Sequence, residues 1–200
     1  MPTEAEKIAV SAEDSMRANL YGLLGNVLFC PPSKEILADL KELSGDETEM
    51  GNAFNSLSKI ASSIDENTAL DEFNQLFVGM GRGELLPYCS YYLTGFLNEK
   101  PLAKLRNSMR ELGIVRNDEI KEPEDHIGSL FEMMSGLIIG RYGEPANIAV
   151  QKEFYFAHIE PWAGHFFKDL EAAKSSRLYQ PVGAIGRLFV EIETNAYSME

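Results

Sequence analysis

Apolar residues recur along this chain at helical spacing. Met16, Leu20, Leu23, Leu24, Val27 and Leu28 share one stripe near the start. Ile127, Leu130, Phe131, Met134, Leu137 and Ile138, separated by 3, 1, 3, 3 and 1, share another, and Val182, Ile185, Phe189, Ile192 and Ala196 repeat the pattern near the end. The chain has no sustained period-two alternation and no internal repeat. Proline and glycine place the ends of the predicted helices. Pro31-Pro32 stops the first, and the second runs from near Ser33 to Gly45. A weaker third spans Glu49 to Ser62 and a fourth Glu66 to Val78. Gly79, Gly81, Gly83 and Pro87 then make a loop too rich in glycine to be helical. Short helices follow over Ser90 to Leu97 and Pro101 to Leu112. The long apolar helix begins at Pro123 and ends near Gly143; Pro161 separates Ala146 to Ile159 from Trp162 to Lys174, and the last covers Leu178 to Tyr197. The fold expected is all-α, a single-domain bundle of about ten helices over residues 1–200.

Composition agrees. Ala, Leu and Glu outnumber Val, Ile and Thr by 62 to 25, a balance that favours helix over strand. Without a low-complexity linker to divide it, a chain of this length is large enough for one self-supporting core.

Charge restricts the partners. A formal net charge of −13 repels phosphate backbones, which argues against nucleic acid, whereas a basic peptide is attracted. Cys30 and Cys89 do not form a C-x-x-C pair, so a reducing compartment without disulfides or a thiolate metal site is expected. The longest uncharged stretches, Asn19 to Ser33 and Leu85 to Asn98, are too short to span a bilayer. Glu4, Glu6, Glu13 and Asp14 stand where a secretory signal carries basic and apolar residues. A cytoplasmic location with no stable membrane insertion follows as an expectation. No metal or cofactor is expected either: Pro161 interrupts the spacing of His158 and His165, and Gly79-Met80-Gly81-Arg82-Gly83 lacks the lysine and threonine of a phosphate loop.

Two segments carry candidate chemistry. In Glu122-Pro123-Glu124-Asp125-His126, proline followed by acids is what a helix start favours electrostatically. The same acids are poised to receive a cation, with Glu122 and His126 at i, i+4 able to share a face. An Asp-His pair also suggests a general base, although no nucleophile pattern accompanies it. The second segment is the stripe Leu70, Phe73, Leu76 and Phe77, whose simplest role is core. It leads into Leu85-Leu86-Pro87-Tyr88-Cys89-Ser90-Tyr91-Tyr92-Leu93, where three tyrosines beside a proline offer a wall for an apolar peptide. Packing accounts for most of the aromatics between Phe154 and Phe167, with Trp162 as a core anchor.

Taken in order, Phe73-Asn74-Gln75-Leu76-Phe77, a glycine loop closing on Pro87-Tyr88, Glu122-Pro123-Glu124-Asp125-His126 and Pro161-Trp162 resemble the TorD/DmsD family of redox-enzyme maturation chaperones over roughly residues 70–190. The resemblance implies a TorD-like helical cytoplasmic chaperone, not an enzyme. It would bind the twin-arginine signal peptide of a molybdoenzyme precursor of the DMSO or TMAO reductase type, assist cofactor insertion and hold back export until folding is complete. It also implies Phe73, Leu76, Phe77, Pro87, Tyr88, Glu122, Pro123, Asp125 and His126 as peptide-binding residues, with no catalytic residue and no metal, in a monomer or a helix-swapped homodimer. Phe73 stands where the family also uses Tyr or Trp. A NarJ-like maturation factor for a nitrate reductase subunit is the alternative, and a small helical enzyme using His126 a more distant one.

Overall fold

The computed structural model describes residues 10–117 and 119–199; Glu4 and Glu6 of the acidic start lie outside them. Ten α-helices follow one another: α1 (Ala12–Phe29), α2 (Lys34–Lys41), α3 (Glu49–Ala61), α4 (Glu66–Phe73), α5 (Cys89–Thr94), α6 (Lys100–Glu111), α7 (Ile127–Ile139), α8 (Ile148–His158), α9 (Glu160–Ala172) and α10 (Tyr179–Met199). The described residues contain no strand, only an isolated antiparallel bridge between Tyr88 and His126. None of their helices is long and apolar enough to cross a membrane.

Short polar side chains start most helices in the way their sequences dictate. Ser11, Ser33, Thr48, Asp65 and Asn147 each accept a hydrogen bond from the backbone N–H three residues on, satisfying a donor that the first turn leaves without a partner. Several predicted boundaries move. Helix α2 ends at Lys41, well before Gly45. The break between α8 and α9 falls at Ile159, and Pro161 lies in the first turn of α9, where its missing N–H costs nothing. The stretch predicted as the tail of the fourth helix is a π-turn over Asn74–Val78.

Helix α7 is the central member, with most of its residues buried, and it lies along α1. Glycine permits the close approach. A Cβ at Gly128 would stand 2.8 Å from the Gly25 carbonyl oxygen and 2.8 Å from the Phe29 Cβ. Tyr21 meets Phe131 edge to face at 5.1 Å and Phe189 at 4.6 Å, which joins α1, α7 and α10 through aromatic contacts favoured at that geometry. Trp162, Phe166 and Phe167 of α9 are fully buried, as the anchor role of Trp162 requires, and the Trp162 Nε1–H donates to the His158 carbonyl at 2.8 Å.

One charged cluster is built into this packing. Arg17 of α1 donates from Nε and Nη2 to the two oxygens of Glu193 of α10, both at 2.8 Å, and Glu193 also accepts from the Tyr21 hydroxyl at 3.0 Å. Tyr197 and Gln151 complete the ring of partners. Glu193 is 1% exposed, and a carboxylate that deep survives as an ion only with a bidentate partner and its remaining lone pairs bonded.

Candidate functional site

The pentapeptide from Glu122 to His126 does not open a helix. Helix α7 begins at Ile127, and His126 is its N-cap, with Nδ1 accepting from the Gly128 N–H at 3.0 Å. The four residues before it run alongside residues 87–89 instead. Ile127 N–H donates to the Pro87 carbonyl at 2.8 Å, and Cys89 N–H donates to the Asp125 carbonyl at 3.0 Å. Residues 124–125 form a turn, closed by the His126 N–H on the Pro123 carbonyl at 3.2 Å, so Pro123 is not a first helical residue. Glu122 and His126 do not share a helical face. At the far end α7 stops at Ile139, where Gly140 takes φ +76°, short of the predicted Gly143.

The acids divide sharply by environment. Asp125 is 1% exposed, and its Oδ2 accepts from the Ser90 N–H at 2.7 Å, capping the short α5 across the chain. Glu124 is 7% exposed and gripped by two guanidinium groups, Arg106 at 2.8 Å and Arg116 at 3.4 Å. Burial pushes the Glu124 carboxyl up, but the Arg106 hydrogen bond and the positive charges outweigh it and hold the group below the usual carboxylate range. The expectation that Glu124 offers a free negative charge is thus corrected: an internal ion pair consumes it. Only Glu122 of the three is exposed, and its carboxylate accepts a hydrogen bond from the half-buried Tyr88 hydroxyl.

His126 is enclosed. Its ring lies edge to face against Phe29 at 5.4 Å and Tyr88 at 5.1 Å, and burial pushes its pKa down to about 3. It stays neutral over the physiological range, with one ring nitrogen committed to capping α7. The other predicted residues sort in the same way. Phe73, Leu76 and Pro87 are buried, Phe77 is half-buried against Tyr179, and Pro123 is partly exposed. The glycine loop turns the chain back on the π-turn, with Leu85 N–H donating to the Leu76 carbonyl at 2.8 Å. This gives the glycines a folding role, since a Cβ at Gly83 would strike the Phe77 backbone at 2.5 Å.

The wall expected along Leu85 to Leu93 is partly packed inward, while its Leu93 is exposed. Residues 89–94 form α5, with Cys89 and Ser90 buried and Tyr92 packed on Trp162. The cavity that Glu122 borders, of about 250 Å³, runs between the α6–α7 connection and the outer side of α7. Met109, Ile114, Val115, Ile120, Met133 and Tyr142 give it apolar walls; Glu122, Glu132, Arg116 and Arg141 give it charge. A second cavity of about 330 Å³ is bordered by the same Met109, Ile114, Val115, Arg116 and Glu124. Sequence reasoning missed this wall because Ile114, Val115 and Ile120 lie in a connection with no periodicity to flag them. Val115, at the edge of the groove, is 87% exposed.

Comparisons with known proteins fit this architecture. A family model described as the nitrate reductase delta subunit matches residues 44–168. A chaperone protein TorD from Vibrio atlanticus is 27% identical over 175 residues, covering 81% of each chain. One from Photobacterium profundum is 30% identical over 146 residues, covering 64% of this chain and 66% of its own. In fold, the chain is similar to the crystal structure of a protein from Archaeoglobus fulgidus assigned to redox enzyme maturation, with a TM-score of 0.62, 19% identity and coverage of 94% and 99%. The chain belongs to the nitrate reductase delta subunit family, the TorD-like chaperones of redox-enzyme maturation.

Proposed function

We propose that this chaperone binds the twin-arginine leader of a molybdoenzyme precursor in the cytoplasm, holding back export while the cofactor is inserted. The observation that carries the reading is the exposed Glu122 carboxylate, oriented by Tyr88 at the rim of a groove with apolar walls that Arg116 and Arg141 also border. A leader of this kind joins cationic side chains to an apolar stretch, and a carboxylate beside apolar walls complements both. The net charge of −13 draws such a ligand from a distance. The cavity of about 250 Å³ has room for a few side chains of a peptide held at a surface. Within this reading Phe73, Leu76, Pro87, Asp125 and His126 act from beneath, fixing the loops that carry Tyr88 and Glu122, while Phe77 and Pro123 stand nearer the surface.

The test is titration of a synthetic leader peptide into the full-length chain. Glu122→Lys should weaken binding by about tenfold or more, the effect of opposing a like charge, with the thermal midpoint unchanged. Unaltered affinity would count against the groove. The name of the matched family model supports a second reading, a partner of the nitrate reductase class. Peptides without the arginine pair, bound as tightly as those with it, would favour that partner.

A further inference from the structure

The groove holds a second exposed carboxylate, and among the described residues its charged partner is a single arginine. Glu132 projects from α7, and Arg141, just beyond the Gly140 cap, places Nη1 at 2.8 Å from Glu132 Oε1. Their side chains are 61% and 47% exposed. Both border the cavity of about 250 Å³ that Glu122 borders, and both also border a neighbouring cavity of about 200 Å³ between α1 and α7, lined by Gly22, Asn26 and Phe29. The pair therefore stands on the partition between two cavities.

The three groove carboxylates differ in what holds them. Glu124 is buried under two guanidinium groups, Glu122 is held by an uncharged hydroxyl, and Glu132 by one exposed guanidinium. The Arg141 guanidinium on Glu132 at 2.8 Å shows that this carboxylate accepts a guanidinium at the cavity border. An exposed single ion pair is also weak enough to exchange, because both charges regain water when it opens. Exchange requires movement of the Arg141 side chain alone, since its backbone N–H is fixed to the Gly136 carbonyl at 2.8 Å.

We propose that Glu132 is the second carboxylate of the leader site, taking one arginine of the pair while Glu122 takes the other, and that Arg141 occupies Glu132 until the leader displaces it. This rests on the leader-binding reading and deepens it. It gives a physical reason for a ligand with two adjacent cations, and it names an internal competitor.

The experiment is a fluorescence anisotropy titration of the full-length chain with a labelled leader peptide carrying both arginines, and with versions in which one or both are glutamine. R141Q should tighten binding of the two-arginine peptide by about threefold to fivefold, the range that an exposed ion pair allows. E132Q should weaken it by a similar factor and erase most of the preference for two arginines over one. In the E132Q background the R141Q gain should vanish, because the competitor then has nothing to occupy. Thermal midpoints of the surface variants report that each remains folded. If the wild type binds and R141Q gains nothing, or keeps its gain without Glu132, the assignment is overturned while the leader-binding reading stands. If the wild type binds no arginine-bearing peptide, both fall.

Discussion

Two acid-bearing regions of this molecule, read as equals from their letters, do opposite work. Glu193 lies inside the bundle with Arg17 bonded to both oxygens and Tyr21 on a third lone pair; Glu122 and Glu132 stand at a groove, each with one exposed or half-exposed partner. The difference is desolvation. A carboxylate taken out of water costs several kcal/mol unless fully repaid, so a buried acid is committed to its partner. An acid left in water keeps its charge available to a ligand. Glu124, Asp125 and Glu72 belong with Glu193: all are buried and all are bonded to arginine or to backbone N–H groups.

Removing the committed acid should give the largest effect. Glu193→Ala leaves the partly buried Arg17 with Asp14 as its one remaining ion partner and the Tyr21 hydroxyl without its acceptor, and loss of up to about 3 kcal/mol is expected, measured as the shift in urea midpoint at constant slope. Leader affinity of the folded fraction should not change. A weakened leader affinity with stability intact would erase the distinction between the two regions.

The next effect is titratable. His126 is held neutral by burial, with a folded pKa of about 3 against an ordinary 6.5, and Phe29, Tyr88 and the Gly128 N–H face it. Below pH 6.5 the unfolded chain binds a proton that the folded chain refuses. The stability is therefore complete above about pH 6.5 and is lost on acidification, at up to about 1.4 kcal/mol per pH unit. His158, pushed down to about 4 by burial and by Lys104, acts in the same direction. His126→Asn keeps a capping acceptor for α7 and should flatten the slope of urea midpoint against pH between 6.5 and 4 without removing it. A slope as steep as that of the wild type would show that His126 is not held neutral.

Asp125→Ala tests the smaller structural debt at the motif. Loss of the bond to the Ser90 N–H should cost about 1–2 kcal/mol, the worth of an N-cap. Reversing this charge is thus no clean probe of binding, because the same carboxylate builds α5.

Much of this was legible in the residues, and the failures have identifiable causes. Helical spacing and the proline and glycine breaks located all ten helices, because the stripes of α1, α7 and α10 are long. The misplaced start of α7 has a cause the spacing does not carry: a turn from Pro123 to His126, pairing with Pro87 and Cys89, and His126 as the N-cap put the start at Ile127. The motif Glu122 to His126 was visible, but which of its acids remains free was not, since Arg106 lies sixteen residues or more from each of them and meets Glu124 only in three dimensions. Glu132 was hidden by its company, a single acid on an otherwise apolar helix. Glu72 and Glu84 give a parallel lesson: Glu72 accepts from the Arg177 and Tyr179 N–H groups, and Glu84 from those of Lys174 and Ser175. Acids that cap a distant segment carry no local signature.

The smallest expected change in stability sharpens the comparison most. Glu122→Gln keeps the acceptor oxygen for the Tyr88 hydroxyl and removes only the charge, so the urea midpoint should move by no more than about 0.5 kcal/mol. The charge should show instead in the salt dependence of leader binding. Screening shortens from about 10 Å at 0.1 M to about 3 Å at 1 M, so wild-type affinity for an arginine-bearing peptide should fall across that range while Glu122→Gln starts weaker and falls less. The Arg17–Glu193 pair, shielded from ions by its burial, should leave the midpoint of unfolding nearly flat over the same interval. Parallel salt slopes for wild type and Glu122→Gln would mean that the groove acid does not meet the ligand's charge.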